Sequence, residues 1–185
     1  LFTLASGADM TLRDTTGPIE HKAAAGTLTL HESYATGRGF DAQAGASLTI
    51  AGGQLTGFTM ANQPGPAINC AGNLTITGGS VTDNAYTGKS DYGTIHVNNK
   101  ESVVSITGGT FANNRAYSGG VLYTAPAKEV RIENVTFENN RASYNGGAVA
   151  IYALNCPTTV TLKNVTFRGN QAGNNGGGLC TADHH

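Results

Sequence analysis

Tryptophan is missing from the 185 residues, and charge is scarce: Asp, Glu, Lys and Arg together make up 12%. The formal net charge of −1 leaves no electrostatic footprint for nucleic acid or an anionic membrane surface. Long apolar runs are lacking as well. The longest, Ala148 to Leu154, falls far short of the ~20 residues that carry a helix across a bilayer, so no membrane insertion is expected of this segment. Nor does any stretch hold a 3.6-residue apolar stripe for three turns. Glycine and β-branched residues occur throughout, and a helical fold is excluded. Cysteine is limited to three residues, which cannot all pair. Cys156 and Cys180 lie about one repeat apart and are the pair that could meet; otherwise all three are small packing residues.

What the chain has instead is glycine, 26 of them, together with many Thr and Asn in a repeating order. "TFANNRAYSGGVLY", "TFENNRASYNGGAVAIY" and "TFRGNQAGNNGGGLC" follow one another, with Phe at 111, 137 and 167 and Gly pairs beginning at 119, 146 and 176. A period of this size redefines the fold before any local reading. A second pattern extends it to the N-terminus: "DMTL" at 9, "TLTL" at 27, "SLTI" at 47, "NLTI" at 73, "VVSI" at 103, "EVRI" at 129 and "TVTL" at 159. Each is a four-residue alternation, the mark of a short strand with one buried face.

The expected buried columns are Met10, Leu28, Leu48, Leu74, Val104, Val130 and Val160 on the first strand and Leu55, Val81, Phe111, Phe137 and Phe167 on the second. Ile19, Phe40, Ile68, Ile95, Leu122, Val149 and Leu179 form the third. Gly-Gly (52–53, 78–79, 108–109) or Asn-Val (134–135, 164–165) marks the bend between the first two strands. Like residues recurring in three columns fit a coil wound once per repeat, with strands stacked ~4.8 Å apart. The expectation is an all-β, right-handed parallel β-helix of about seven coils with three short strands each. It forms one segment over 1–185, with short, degenerate coils in 1–72 and longer ones in 73–185. The chain opens and closes against strand patterns, so a piece of a longer protein is expected.

The Asn of Phe-x-x-Asn recurs as Asn84, Asn114, Asn140 and Asn170. At a turn stacked on itself these residues are expected to form a structural ladder, tolerating a left-handed backbone and bonding to the Asn above and below. The Gly pairs are expected where coils approach closely. These motifs, "FANN…GGVL", "FENN…GGAV", "FRGN…GGGL" and the degenerate "VTDN…YGTI", resemble the repeats of the chlamydial polymorphic outer membrane protein family, over roughly residues 81–180. That resemblance implies a passenger domain of a surface-exposed bacterial protein. It also implies an extracellular location and a role in adhesion, with a host-cell surface protein or glycan as partner.

Chemistry must then sit on outward columns and loops. A Thr row on the first strand (Thr11, Thr29, Thr49, Thr75, Ser105, Thr161) suggests an ice-binding face, but Arg131 breaks it and exposed strands favour Thr anyway. On the third strand, Glu20 and Asp41 on adjacent coils would hold carboxyls ~5 Å apart, as in retaining glycosidases. The alternative reading is therefore part of a β-helical carbohydrate-active enzyme, a polysaccharide lyase or glycoside hydrolase. Such enzymes need clustered acids with a supporting His and Arg or Lys, and here twelve acids are spread thinly. No catalytic residue is assigned. His21, His31 and His96 lack partners at ligand spacing, so neither metal nor cofactor is expected. Asn73, Asn134 and Asn164 begin Asn-x-Thr sequons, two of them inside the repeat itself. Six of seven tyrosines lie between 86 and 152. Tyr86, Tyr117 and Tyr144 are expected in the loop before Gly-Gly, and Tyr123 outward on the third strand. Tyr117, Tyr123, Tyr144 and His96 are accordingly the candidate ligand-binding residues; the plainer alternative is that the tyrosines pack over the turn of their own coil.

Overall fold

A computed structural model describes residues 40–60 and 66–182, together with the strand backbones of residues 2–4, 9–12 and 29–31. Every strand pairing is parallel, and each joins one circuit of the chain to the next. The result is an all-β solenoid of about five turns, without helix among the described residues. Its walls are an 11-stranded, a 6-stranded and a 5-stranded sheet.

The largest sheet contains both the first-strand and the third-strand rows. Leu48, Leu74, Val104, Val130 and Val160 stack in one row, and Phe40, Ile68, Ile95, Leu122, Val149 and Leu179 in the other. The two rows merge where a strand runs unbroken around the corner, at Ile95–Ile106 and Leu122–Glu133. The second sheet stacks Leu55, Val81, Phe111, Phe137 and Phe167. The third was not legible in the alternation. It is built from two-residue strands: Thr59–Met60, which follows Phe58, and Ala85–Tyr86, Arg115–Ala116, Arg141–Ala142 and Gln171–Ala172, each directly after a ladder Asn.

The expected seven coils are corrected to about five. Met10 is joined directly to Leu48, and the strand Thr29–His31 belongs to the second sheet, with Leu30 beside Leu55. One circuit was counted as two, and the six first-strand rungs that remain, Met10, Leu48, Leu74, Val104, Val130 and Val160, are joined by five turns. A short strand with one apolar residue flanked by polar ones looks alike in either sheet, so a four-residue pattern cannot tell the columns apart. Likewise, the neighbour of Phe40 is Phe2. Leu28 and Ile19 lie outside the described residues.

Core volume is shared between the second and third sheets. Their inward residues pair along the chain as Leu55 with Met60, Val81 with Tyr86, Phe111 with Ala116, Phe137 with Ala142 and Phe167 with Ala172. In four of the five a large residue in one wall is matched by a smaller one in the other, while Leu55 and Met60 are similar in size, so the summed volume stays near what native packing density requires. The Phe rings stack up the column at 5.1 and 5.3 Å.

The corner between these two walls holds the ladder. Asn140 is fully buried. Its Nδ2 donates to the Phe111 carbonyl (3.0 Å) and to Asn170 Oδ1 (3.0 Å), and its backbone N–H donates to the same Oδ1 (2.9 Å). Asn84 and Asn114 repeat the arrangement, Asn114 Nδ2 reaching Asn140 Oδ1 at 3.0 Å and Asn84 Nδ2 reaching Asn114 Oδ1 at 2.9 Å. The left-handed residues are not these, as anticipated, but the ones before them. Asp83, Asn113, Asn139 and Gly169 have φ of 57°, 58°, 53° and 63°. The bend needs one left-handed residue, and that residue turns outward, leaving the next amide pointing in.

Glycine is demanded at the opposite corner. Gly146 has φ 62°, and a Cβ there would strike the Val149 carbonyl; on Gly147 it would strike the Gly177 carbonyl of the next coil.

Two outcomes follow from this packing. Asn140→Ala should lower the stability by about 2–4 kcal/mol, since it takes the acceptor from the buried Asn114 N–H and the Nδ2 donor from the Phe111 carbonyl, and leaves Asn170 Oδ1 with the Asn140 backbone N–H alone. Asn139→Ala should cost only about 1–2 kcal/mol of left-handed strain, relieved in Asn139→Gly. Denaturant midpoints for the three variants check the order, and equal midpoints for the two alanine variants would remove the ladder from the account. Phe111→Val and Ala116→Tyr should each destabilise, by a cavity and by overpacking. The double variant, which recreates the Val81/Tyr86 combination, should recover roughly 1–3 kcal/mol relative to additivity in a double-mutant cycle.

Candidate functional site

The four candidate ligand-binding residues fall into two places. His96 and Tyr123 are register neighbours on the outward side of the 11-stranded sheet, continuing to Ala150 and Cys180. They do not form an exposed platform: His96 is 8% and Tyr123 6% exposed. Other rings cover them. Tyr92 lies 4.7 Å from His96, His96 5.3 Å from Tyr123, and Tyr123 5.4 Å from Tyr152. Asn145 Nδ2 donates to the Tyr152 hydroxyl at 2.6 Å, pinning that ring over the sheet. Tyr123, Ala150 and Tyr152 thereby make a second apolar cluster outside the solenoid bore. Burial, with Asp91 and Tyr152 adding to it, pushes the Tyr123 phenol far above its ordinary range. Burial also raises Cys180, although a hydrogen bond with Tyr152 opposes the shift.

Tyr86, expected beside Tyr117 and Tyr144 in a loop, is a core residue of the third sheet at 3% exposure. Tyr117 and Tyr144 do come together at the surface. Their rings stack at 5.5 Å and 23°, Tyr117 half-buried and Tyr144 42% exposed. Backbone bonds hold the ledge in place, Ser143 N–H to the Ala116 carbonyl (3.0 Å) and Tyr144 N–H to the Tyr117 carbonyl (2.8 Å).

Sequence reasoning missed what lies beside this ledge. Arg115 and Arg141 are register partners on the third sheet, and both are exposed. The available signal was "NRA", present in two successive repeats: a ladder residue, an outward residue and an inward one. It went unread because the two-residue strand carrying it is too short for any alternation to show.

The carboxylate pair is corrected too. Asp41 has Thr3 and Asn69 as its register neighbours, not Glu20, which lies outside the described residues. The Asp41 carboxylate accepts from Asn69 Nδ2 (2.6 Å) and Gln43 Nε2 (3.0 Å), a polar ladder of its own. Among the described residues no group of three or more His, Cys, Asp or Glu converges. His31 sits on a second-sheet strand and His21 lies outside the described residues. Cys70, Cys156 and Cys180 are free thiols, and burial pushes Cys70 up to about 11. Of the sequon residues, Asn164 Nδ2 donates to Asn134 Oδ1 at 3.0 Å, an outer ladder parallel to the buried one.

The buried phenol has a measurable consequence. With its folded pKa raised, Tyr123 contributes stability that is fully present below the ordinary tyrosine pKa of about 10 and is lost as the pH rises above it, because the unfolded chain ionises first. Between about pH 9 and 11, the melting temperature of Tyr123→Phe should therefore fall less than that of the parent chain. Parallel melting curves would refute a perturbed phenol.

No curated protein and no solved structure matches the chain. One family does, at two places: the Chlamydia polymorphic membrane protein (Chlamydia_PMP) repeat matches residues 134–152 and 164–182. The two matched stretches lie directly on one another, Phe137 on Phe167 and Ala142 on Ala172. Each runs from a left-handed Asn, through ladder Asn and Gly pair, to the end of the following strand. Two adjacent coils of this parallel β-solenoid thus match the chlamydial polymorphic membrane protein repeat.

Proposed function

We propose that this segment is a non-catalytic module of a bacterial surface protein, a right-handed β-helix that presents an outward face to ligands on host cells, whether protein or glycan, and so acts in adhesion. The repeat match supports a place in the outer membrane or at the cell surface. Right-handed winding is the sense favoured when parallel strands of one sheet are joined by a crossover. The observation that carries the binding role is the Tyr117–Tyr144 ledge. Two aromatic rings stack at the surface, one of them 42% exposed, on a backbone cross-linked to the coils on either side. Rigid aromatic area next to polar side chains gives contact at low entropic cost. Inward-facing residues of the stack are consumed by packing, which leaves outward rows and loops for recognition.

Binding of the labelled 185-residue chain to cultured epithelial cells tests the proposal. Tyr117→Ala/Tyr144→Ala should reduce binding at least ~10-fold, the size of a central aromatic contact. Thr49→Ala/Thr75→Ala, on another wall, should leave it intact. Loss in the Thr variant with retention in the Tyr variant would place the binding face elsewhere, and no cell binding at all would refute adhesion by this segment.

A further inference from the structure

We propose that Arg115, Arg141, Tyr117 and Tyr144 form a site for the carboxylated terminal sugar of a glycan. The inference rests on the surface-binding reading above and names the ligand class for its site. Arg115 and Arg141 are register partners on neighbouring strands, one strand spacing (~4.8 Å) apart. Both are exposed, and neither guanidinium has an ion-pair partner among the described residues. Like charges set directly opposite each other are unfavourable, and an anion shared between them turns that repulsion into attraction.

Nothing in the fold demands these residues. Equivalent outward positions of the third sheet hold Thr59, Ala85 and Gln171 in other coils, and Asn174 follows Tyr144 in its column, its N–H bonded to the Tyr144 carbonyl at 2.8 Å. The ladder Asn and the left-handed turn recur in coil after coil because the backbone requires them. Among the described residues the arginines and the stacked tyrosines occur together in two coils, so the solenoid supplies its own control for what is structural.

The chemistry selects a class of ligand. Two guanidiniums can hold one carboxylate by paired, charge-assisted hydrogen bonds. Tyr117 and Tyr144 lie two and three residues further along the same two coils, where their rings offer an apolar ledge to a pyranose. Acids in the adjoining rows have partners of their own: Asp83 accepts from Asn113 Nδ2 at 3.1 Å, and Glu138 pairs with Arg168 at 3.5 Å. Two cations on a chain of net charge −1 suit a single terminal carboxylate, whereas a sulfated polyanion calls for a longer basic track.

Titration calorimetry of the 185-residue chain with sialyllactose, with lactose and with a heparin tetrasaccharide tests this. Sialyllactose should bind and lactose should not. Arg115→Gln and Arg141→Gln should each weaken binding at least ~10-fold, as loss of a charged hydrogen bond does. Tyr144→Asn should also weaken it. These variants copy Gln171 and Asn174, residues the solenoid already holds at equivalent places, and unchanged melting curves would show them folded. Equal binding of lactose, tighter binding of the heparin fragment, no sialyllactose binding, or full affinity in the Arg variants would each overturn the assignment. A second arm separates it from adhesion in general: sialidase treatment of the epithelial cells should abolish chain binding. Binding that survives sialidase would leave the adhesion reading standing and refute the carboxylated-sugar site. Sialyllactose binding without cell binding would do the reverse.

Discussion

Each coil completes the hydrogen bonding of its neighbour, and this single dependence organises the molecule. A solenoid turn exposes backbone amides along both edges of every strand, and at the tight corner between the second and third sheets those amides are sealed from water. Parallel stacking satisfies the strands. The corner is satisfied by the buried Asn, whose Oδ1 accepts both a side-chain and a main-chain N–H from the previous coil, while its Nδ2 donates to a carbonyl. A buried group left unpaired costs about 1–3 kcal/mol, so the ladder is selected as a unit and not residue by residue. The left-handed residue before it, the Gly pair beyond it and the matched volumes of the two facing walls are the local conditions that let successive coils superimpose.

That dependence explains which parts of the structure were legible in the sequence. The parallel stack was, because the columns Leu48–Leu74–Val104–Val130 and Phe111–Phe137–Phe167 are written as a period. The ladder positions were picked out for the same reason. The coil count was not, since Leu30 sits in a strand whose pattern fits either wall, and only the pairing with Leu55 decides. Nor was the third sheet, because two-residue strands carry no alternation.

The candidate site was half legible. Clustering of tyrosines drew attention to Tyr117 and Tyr144, whose rings do meet at the surface. Alternation alone put His96 and Tyr123 on the outward side of their strand, which is correct, but outward is not the same as exposed. Tyr92, four residues before His96 and outside its strand, and Tyr152, on the next coil, lie over them and bury them, and neither contact is written in the alternation of a single strand. Tyr86 failed for the opposite reason. Its inward position is visible only once the two-residue strand is recognised and its bulk is seen to offset the small Val81.

Scaffold and recognition are thus separated by a simple physical line. Inward positions and corners are constrained by the next coil, so they converge on the same residue types. Outward positions of the third sheet are constrained only by the sheet itself, and they vary from Thr to Ala to Arg to Gln without altering the pairing. A stack of this kind can exchange its outer surface coil by coil while the hydrogen-bonded interior stays the same. Where two successive coils carry the same costly choice, here two unpaired guanidiniums in register, the repetition is not explained by folding. On the proposal of a carboxylated ligand, an anion shared between the two guanidiniums accounts for it.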